Sequence, residues 1–205
     1  MRKLIIIGAG GHGKVVVDIA VKINKWQSIS FLDDDSSVLN CMGFPVVGKV
    51  READLFGKEA DFIVAIGDYK DRKRILEELI EKGLSVVSLV HPDAVIGLNV
   101  EIGTGTVVMA GAVINSCSRI GKGSIINTCS SIDHDCEIGD YVHISPGANI
   151  AGGVKIGEKS WAGMGSSVIN NLRVCADCII GAGAVVVRNI EEPGVYVGVP
   201  SKKIK

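Results

Sequence analysis

At 205 residues with a net charge of -1 and no dense basic run, the chain is not built as a general polyanion or nucleic-acid binder. Only 4% of it is aromatic, which argues against a base-stacking surface and suits a thin, repetitive interior. Its 47% hydrophobic and 22% charged residues supply a sizeable core for one domain or two.

Lys3-Leu4-Ile5-Ile6-Ile7 reads as a buried strand. Gly8 cuts the run short, and no signal-peptide pattern precedes it, so the sequence predicts a cytoplasmic protein with no membrane insertion. Gly8-Ala9-Gly10-Gly11-His12-Gly13 follows, then a helical pattern through Val16, Ile19, Ala20 and Ile23. Strand, Gly-rich turn and helix together form the context of a phosphate-binding loop, with backbone able to approach the ligand at a helix start. A second strand, Ile29 to Leu32, ends at Asp33-Asp34-Asp35, near the distance at which a dinucleotide fold places its ribose-binding carboxylate. The sequence does not decide which of the three acids faces a ligand. Taken alone, Gly-x-Gly-x-x-Gly suggests NAD. The segment 1–89 is too short for the doubled dinucleotide fold, however, and has room for one mononucleotide-binding half and little more. Its remainder predicts a strand at Asp61–Ile66, a turn at Gly67-Asp68, a helix from Lys70 to Glu81 and a short strand at Ser85–Leu89. His91-Pro92 marks a junction.

From Val90 to Val186 every sixth residue is Val or Ile, save Ala162. That period fits neither a 3.6-residue helix nor an alternating strand. It fits a solenoid with one short strand and one turn per hexad, in which each coil buries what it cannot bury alone. A Gly often follows the aliphatic anchor and is expected to relieve the turn. Four residues after the anchor stands a second inward candidate, mostly small, such as Thr106, Ser118, Ser124, Cys136 and Cys178. The cysteines at those positions read as packing residues with reduced thiols. Cys175-x-x-Cys178 has zinc-like spacing but no second pair, so no metal is expected to be required.

Two histidines fall in the repeat, His134 and His143, at neither the anchor nor the small inward position, so both can reach the outer surface or a subunit interface. His is the natural general base near neutral pH, and a flanking carboxylate raises its basicity. Asp133 and Asp135 both flank His134, and spacing does not choose between them. A Gly-x-Ser-x-Gly elbow is absent, and Cys136 sits at an inward position, so neither a serine nor a cysteine nucleophile is indicated. The stretches around Gly152 and Gly163 are low in bulk, and those two glycines are candidate backbone contacts to a ligand lying along the helix side. Trp161 is expected to face outward. Glu191 to Pro200 is expected to cap the last open coil, whose edge would otherwise recruit another chain.

The hexads resemble the hexapeptide repeat of left-handed parallel β-helix acyltransferases. The Gly8–Gly13 loop, the Asp run and Ile66-Gly67-Asp68 resemble the N-terminal domain of bacterial sugar acetyltransferases of the sialic acid O-acetyltransferase (NeuD) and UDP-4-amino-sugar N-acetyltransferase (PglD) type. The resemblance implies a small Rossmann-like α/β domain at 1–89, a left-handed parallel β-helix at 90–187 with 18 residues per coil, and a capping segment at 188–205. It implies acetyl-CoA as the donor and a UDP-linked 4-amino-4,6-dideoxy sugar as the acceptor, with sialic acid O-acetylation as the alternative. It implies a homotrimer with active sites between subunits. Gly10, Gly11, His12, Asp33, Asp34 and Gly67 are then the substrate contacts in the first domain. His134-Asp135-Cys136 resembles the family's His-Glu/Asp-Cys motif, with His134 as base and Asp135 as its support. Asn127 matches an upstream substrate-binding Asn, and His143 matches a second His near the thioester of acetyl-CoA. Two other readings compete: an NAD-binding protein, and a non-catalytic or carbonic-anhydrase-like solenoid, which would need a cluster of metal-binding histidines.

Overall fold

The computed structural model describes residues 2–205. The chain forms two compact units, Met1–Pro92 and Asp93–Lys205.

In the first unit, β1 (Lys3–Ile7), β2 (Ser28–Leu32), β5 (Ala60–Val64) and β6 (Ser85–Val86) make a parallel sheet in the order β2-β1-β5-β6. The side chains of Leu4 to Ile7 and Phe62 to Val64 are almost wholly buried, as continuous apolar runs in a parallel sheet must be. Helix α1 (Gly11–Ile23) buries Val16, Val17, Ile19 and Ala20, and ends at Asn24 in the left-handed conformation. Helix α2 (Tyr69–Glu81) is capped by Asp68, whose carboxylate accepts the N–H groups of Lys70 and Asp71. The strand expected at Asp61–Ile66 stops at Val64, and the one expected at Ser85–Leu89 divides into Ser85–Val86 and Leu89–Val90. Between β2 and β5 lie a small hairpin, β3 (Asn40–Cys41) with β4 (Phe44–Pro45), and a 3-10 segment over Val50–Glu59. Asp61, almost fully buried on β5, accepts from the Trp26 indole at 2.9 Å and the Ser85 hydroxyl at 2.9 Å, and pairs with Arg2 at 2.6 Å.

The second unit is a left-handed parallel β-helix. Strands of two residues pair in register with strands 18 residues on, as in Val107 with Ile125, His143 and Trp161. Three such ladders form the faces of the coil. Every anchor from Val108 to Val186 is buried, whereas Ile96 near the start is 37% exposed. From Thr106 to Ser166 the small inward positions are buried too, and apart from Ser166 Oγ their hydroxyls are satisfied along the stack. Thr106 Oγ1 donates to the Gly121 carbonyl, and Ser124 Oγ donates to that of Gly139. Thr106 Oγ1 also accepts the Ser124 N–H. One outer face carries a ladder of Glu101, Arg119, Glu137 and Lys155, whose alternating signs suit cross-strand neighbours, before Arg173 follows Lys155 with the same sign.

The glycines after the anchors have a different cause from the one expected. The left-handed residue of each turn stands three positions after the anchor, at Cys117, Asp135 and Gly153 for example. The glycine directly after the anchor is needed because coils touch there: a β-carbon on Gly121 would lie 2.5 Å from the carbonyl carbon of Gly139. Close approach between successive coils, not turn geometry, selects it.

At the far end, Gly194–Val197 pairs in parallel with Cys178–Ile180, and Lys202–Lys203 pairs back on it antiparallel. The closing segment thus covers the open edge.

Candidate active site

The pocket of the first unit gathers all six residues the sequence singles out there. Gly10, Gly11, His12, Asp33, Asp34 and Gly67 line one cavity. The Gly-rich turn divides its labour. Gly8 has φ +101°, and a β-carbon on Gly13 would overlap the Gly8 carbonyl, so both are held by the fold. Gly10, Gly11 and Gly67 have nothing within 4 Å of an added β-carbon, which leaves their backbone open to a ligand. Gly10 is the N-cap of α1 and provides no side-chain cap, whereas Asp68 seals the start of α2. A helix start without a side-chain acceptor attracts an anion.

The three aspartates are sorted by their partners. Asp33 accepts the Ala9 N–H at 2.7 Å and the Asp35 N–H at 2.8 Å, so it ties the β2 end to the Gly-rich turn. Asp34 accepts the Val50 N–H at 3.0 Å. Asp35 is engaged by Ser37 and does not line the pocket. The cavity also takes in Val50, Asp71 and Arg74, which sequence reasoning missed. Arg74 reaches Asp71 at 3.2 Å, an i,i+3 pair on α2 that helical spacing would have found.

In the solenoid, His134 stands at a corner, next to the left-handed Asp135. Its imidazole is exposed, and Nδ1–H donates to the Asp135 carboxylate at 2.7 Å. Asp133 does something else: its carboxylate accepts the His134 backbone N–H at 2.8 Å and the Asn115 amide at 2.9 Å. The choice that spacing left open is therefore made by geometry, with Asp135 on the ring and Asp133 on the backbone. The hydrogen bond to Asp135, with the charge of Asp133 behind it, holds the His134 pKa above the ordinary histidine value. The Asn115 amide and the His134 N–H hold Asp133 below the ordinary carboxylate range. Asn115 was not anticipated, although it lies one coil before Asp133.

With Nδ1 engaged, Nε2 is the basic nitrogen. It lies against Gly152, where an added β-carbon would come within 2.7 Å of it. Beside this corner runs a groove lined by Asn115, Ser131, Asp133, Asn149, Ala151 and Ile169, among others. Gly163 is accounted for by coil packing, since a β-carbon there would meet the Ile180 carbonyl oxygen at 2.6 Å.

His143 lies on a different face and is engaged differently. The Thr128 N–H donates to Asn127 Oδ1 at 2.8 Å, so Asn127 turns its NH2 group to His143 Nε2 at 3.1 Å. His143 Nε2 thereby accepts from the Asn127 amide. Its plane lies parallel to that of Trp161, with ring centroids 5.7 Å apart. Trp161 faces outward and donates to Ser145 Oγ at 2.6 Å.

All six cysteines are free thiols. Burial pushes the Cys136 thiol up, which disfavours a thiolate nucleophile there. Cys175 and Cys178 sulfurs lie 3.3 Å apart, and burial together with that contact pushes Cys178 up to about 12. Among the described residues no group of three or more His, Cys, Asp or Glu side chains is placed to hold a metal ion, and no helix is long and apolar enough to cross a membrane.

Comparison with known proteins places these features in context. Residues 3–79 match the family described as PglD N-terminal domain, and residues 117–152 match that described as bacterial transferase hexapeptide (six repeats). The fold superimposes on the acetyltransferase domain of PglB from Neisseria gonorrhoeae with a TM-score of 0.96 and 40% identity, covering 100% of both chains. It superimposes on PerB from Caulobacter crescentus, solved in complex with CoA and GDP-perosamine, with a TM-score of 0.94 and 37% identity, covering 100% of this chain and 98% of that one. A curated relative, UDP-N-acetylbacillosamine N-acetyltransferase of Bacillus subtilis (strain 168), is 35% identical over 115 residues, which are 54% of this chain and 52% of the relative. The match thus spans about half the length of that relative.

Proposed function

We infer the function from one premise: the chain belongs to the hexapeptide-repeat acyltransferase superfamily, among the acetyl-CoA-dependent relatives of the sugar-nucleotide N-acetyltransferases. On this reading it transfers an acetyl group from acetyl-CoA to the amino group of a nucleotide-linked amino sugar. The finer assignment is a UDP-linked 4-amino-4,6-dideoxy sugar. A GDP-linked acceptor is the competing one, favoured by the full-length likeness to PerB with GDP-perosamine.

The observation that carries the reading is the arrangement of His134. With Nδ1–H on Asp135, its Nε2 faces the gap left by Gly152 at the edge of a groove. The sugar amine attacks the thioester carbonyl, and Nε2 takes a proton from the nitrogen as the bond forms. The tetrahedral intermediate then collapses, the C–S bond breaks and CoA leaves as the thiol after protonation. Asp135 stabilises the imidazolium that forms in between. Acetyl-CoA brings the activated acyl group. His143, Gly152 and Gly163 are the proposed contacts to the cofactor, and Asn127 the contact to the acceptor.

The nucleotide is assigned to the pocket of the first unit, where the α1 N-terminus and the backbone at Gly10, Gly11 and Gly67 receive its phosphates, with His12, Asp33 and Asp34 around it. His134 at its corner and His143 on another face belong to different sides of the coil. Both serve one reaction if two copies meet, which is the basis for proposing a trimer with active sites between subunits.

The deciding assay follows CoA thiol release from acetyl-CoA with UDP- and GDP-linked 4-amino sugars, free sialic acid and CMP-sialic acid. Release with a nucleotide-linked 4-amino sugar supports the reading. Release only with a sialic acid would move the acceptor atom to oxygen, and release with none would sink the enzyme assignment.

A further inference from the structure

Among the described residues, Arg72 is the bulkiest side chain with almost no exposure, at 1%. It stands on α2 at the head of the apolar stripe Ile75, Leu76 and Leu79, a place where an uncharged residue would fill the volume without desolvating a cation. Its guanidinium donates through one nitrogen to two successive carbonyls, Ile66 at 3.0 Å and Gly67 at 2.6 Å. Ile66 and Gly67 are wall residues of the pocket that also holds Gly10, Gly11 and His12.

In a trans peptide the carbonyl and the N–H point in opposite directions. Holding the Ile66 carbonyl against Arg72 therefore turns the Gly67 N–H away from the guanidinium. Gly67 has open space where its side chain would be. A fixed N–H in an open wall, backed by a buried cation, suits an anionic group. The remaining charged lining does not supply much positive charge: Asp33, Asp34 and Asp71 are acidic, and Arg74 is already engaged by Asp71.

We propose that Arg72 is a positioning residue of this pocket: it fixes the Ile66–Gly67 wall so that the backbone receives the diphosphate of the nucleotide. The proposal rests on the nucleotide-sugar reading of the site. Arg is suited to the task because the two N–H groups of one guanidinium nitrogen are fixed in a plane toward the two carbonyls, a direction the freely rotating ammonium of a lysine does not fix.

The test uses the full chain with UDP and GDP as probes, acetyl-CoA as the control ligand, and binding measured by calorimetry. Arg72→Met should weaken the nucleoside diphosphate that the wild type binds by about 10-fold or more, with acetyl-CoA affinity within about twofold. Arg72→Lys should fall between Arg72→Met and wild type. In turnover, KM for the nucleotide sugar should rise while kcat and KM for acetyl-CoA hold. Unchanged diphosphate affinity in folded Arg72→Met overturns the proposal, as does parallel loss of both ligands with a lowered Tm. If Arg72→Met is insoluble, Arg72→Lys decides by the same criteria. Wild-type protein that binds neither UDP nor GDP overturns the nucleotide reading and this proposal together, whereas wild-type binding with an indifferent variant overturns this proposal alone.

Discussion

The imidazole of His134 lies over the backbone of Gly152, one full coil further along, where a single added methyl group would stand 2.7 Å from Nε2. The Gly153 N–H donates to the His134 carbonyl at 2.9 Å, so the two corners are locked in register. Gly152 leaves the gap into which the basic nitrogen projects. Gly152→Ala should therefore fold normally, since its backbone is outside the left-handed region, but push the ring off its position. We expect kcat to fall about 10-fold or more with little change in Tm. A raised KM for acetyl-CoA with unchanged kcat would instead mark Gly152 as a cofactor contact alone.

His134→Ala should remain folded, because the side chain is exposed and contributes nothing to the interior. Turnover should drop by about 10²–10⁴-fold, the usual contribution of a positioned general base. Asp135→Asn should cost less than that, since the imidazole remains. Asp133→Asn should cost least, because Asp133 holds the His134 backbone rather than its ring. Near-wild-type turnover of His134→Ala at saturating substrates, with chemistry rate-limiting, would falsify the base assignment.

The pH dependence follows from the raised His134 pKa. The protonated ring cannot accept a proton, so rate should increase as pH rises through a midpoint above the ordinary histidine value of about 6.5. In Asp135→Asn the support for the imidazolium is lost, and that midpoint should move down. An amine acceptor adds its own ionisation to the profile, so the difference between the two proteins is the informative quantity. An unshifted midpoint in Asp135→Asn means that His134 is not the group being titrated.

Asp61 provides a stability test in the first unit. Burial alone would raise its pKa. The hydrogen bonds from Trp26 and Ser85, with Arg2, outweigh burial and hold it low. A carboxylate with a depressed folded pKa contributes stability above its unfolded value of about 3.9, and that contribution is lost as pH falls through the folded pKa. Asp61→Asn should cost about 1.5–3 kcal/mol at neutral pH, the range for hydrogen bonds to a charged group. It should also flatten the acid limb of denaturant unfolding curves, and an unaltered limb would show that Asp61 is not its source.

Ile126 is fully buried in the solenoid. Ile126→Lys should cost several kcal/mol, by placing an ammonium in a dry interior that has no partner built for it. Thermal unfolding measures this directly. Soluble, fully active protein with an unchanged Tm would contradict the burial of the anchors.

The solenoid was legible in the sequence because its order is local and repeated. A branched residue every six positions decides what faces inward, and a coil of constant length then pairs each strand with the one 18 residues on. His134 and Asp135 were legible for a similar reason, being neighbours in the chain at a position that is neither anchor nor inward. The Gly-rich turn and the Asp run were visible as a pocket in outline. What only the tertiary structure decided depends on backbone direction and on partners far apart in sequence. Asp33 braces the turn through the Ala9 N–H, 24 residues away. Asp135 rather than Asp133 reaches the ring because the left-handed corner turns one carboxylate to the imidazole and the other to the backbone. The Asn127 amide is turned onto the His143 ring because the Thr128 N–H holds its carbonyl oxygen. A residue type and a spacing state which groups are present, but hydrogen bonds are directional, and only the folded backbone says where each donor points.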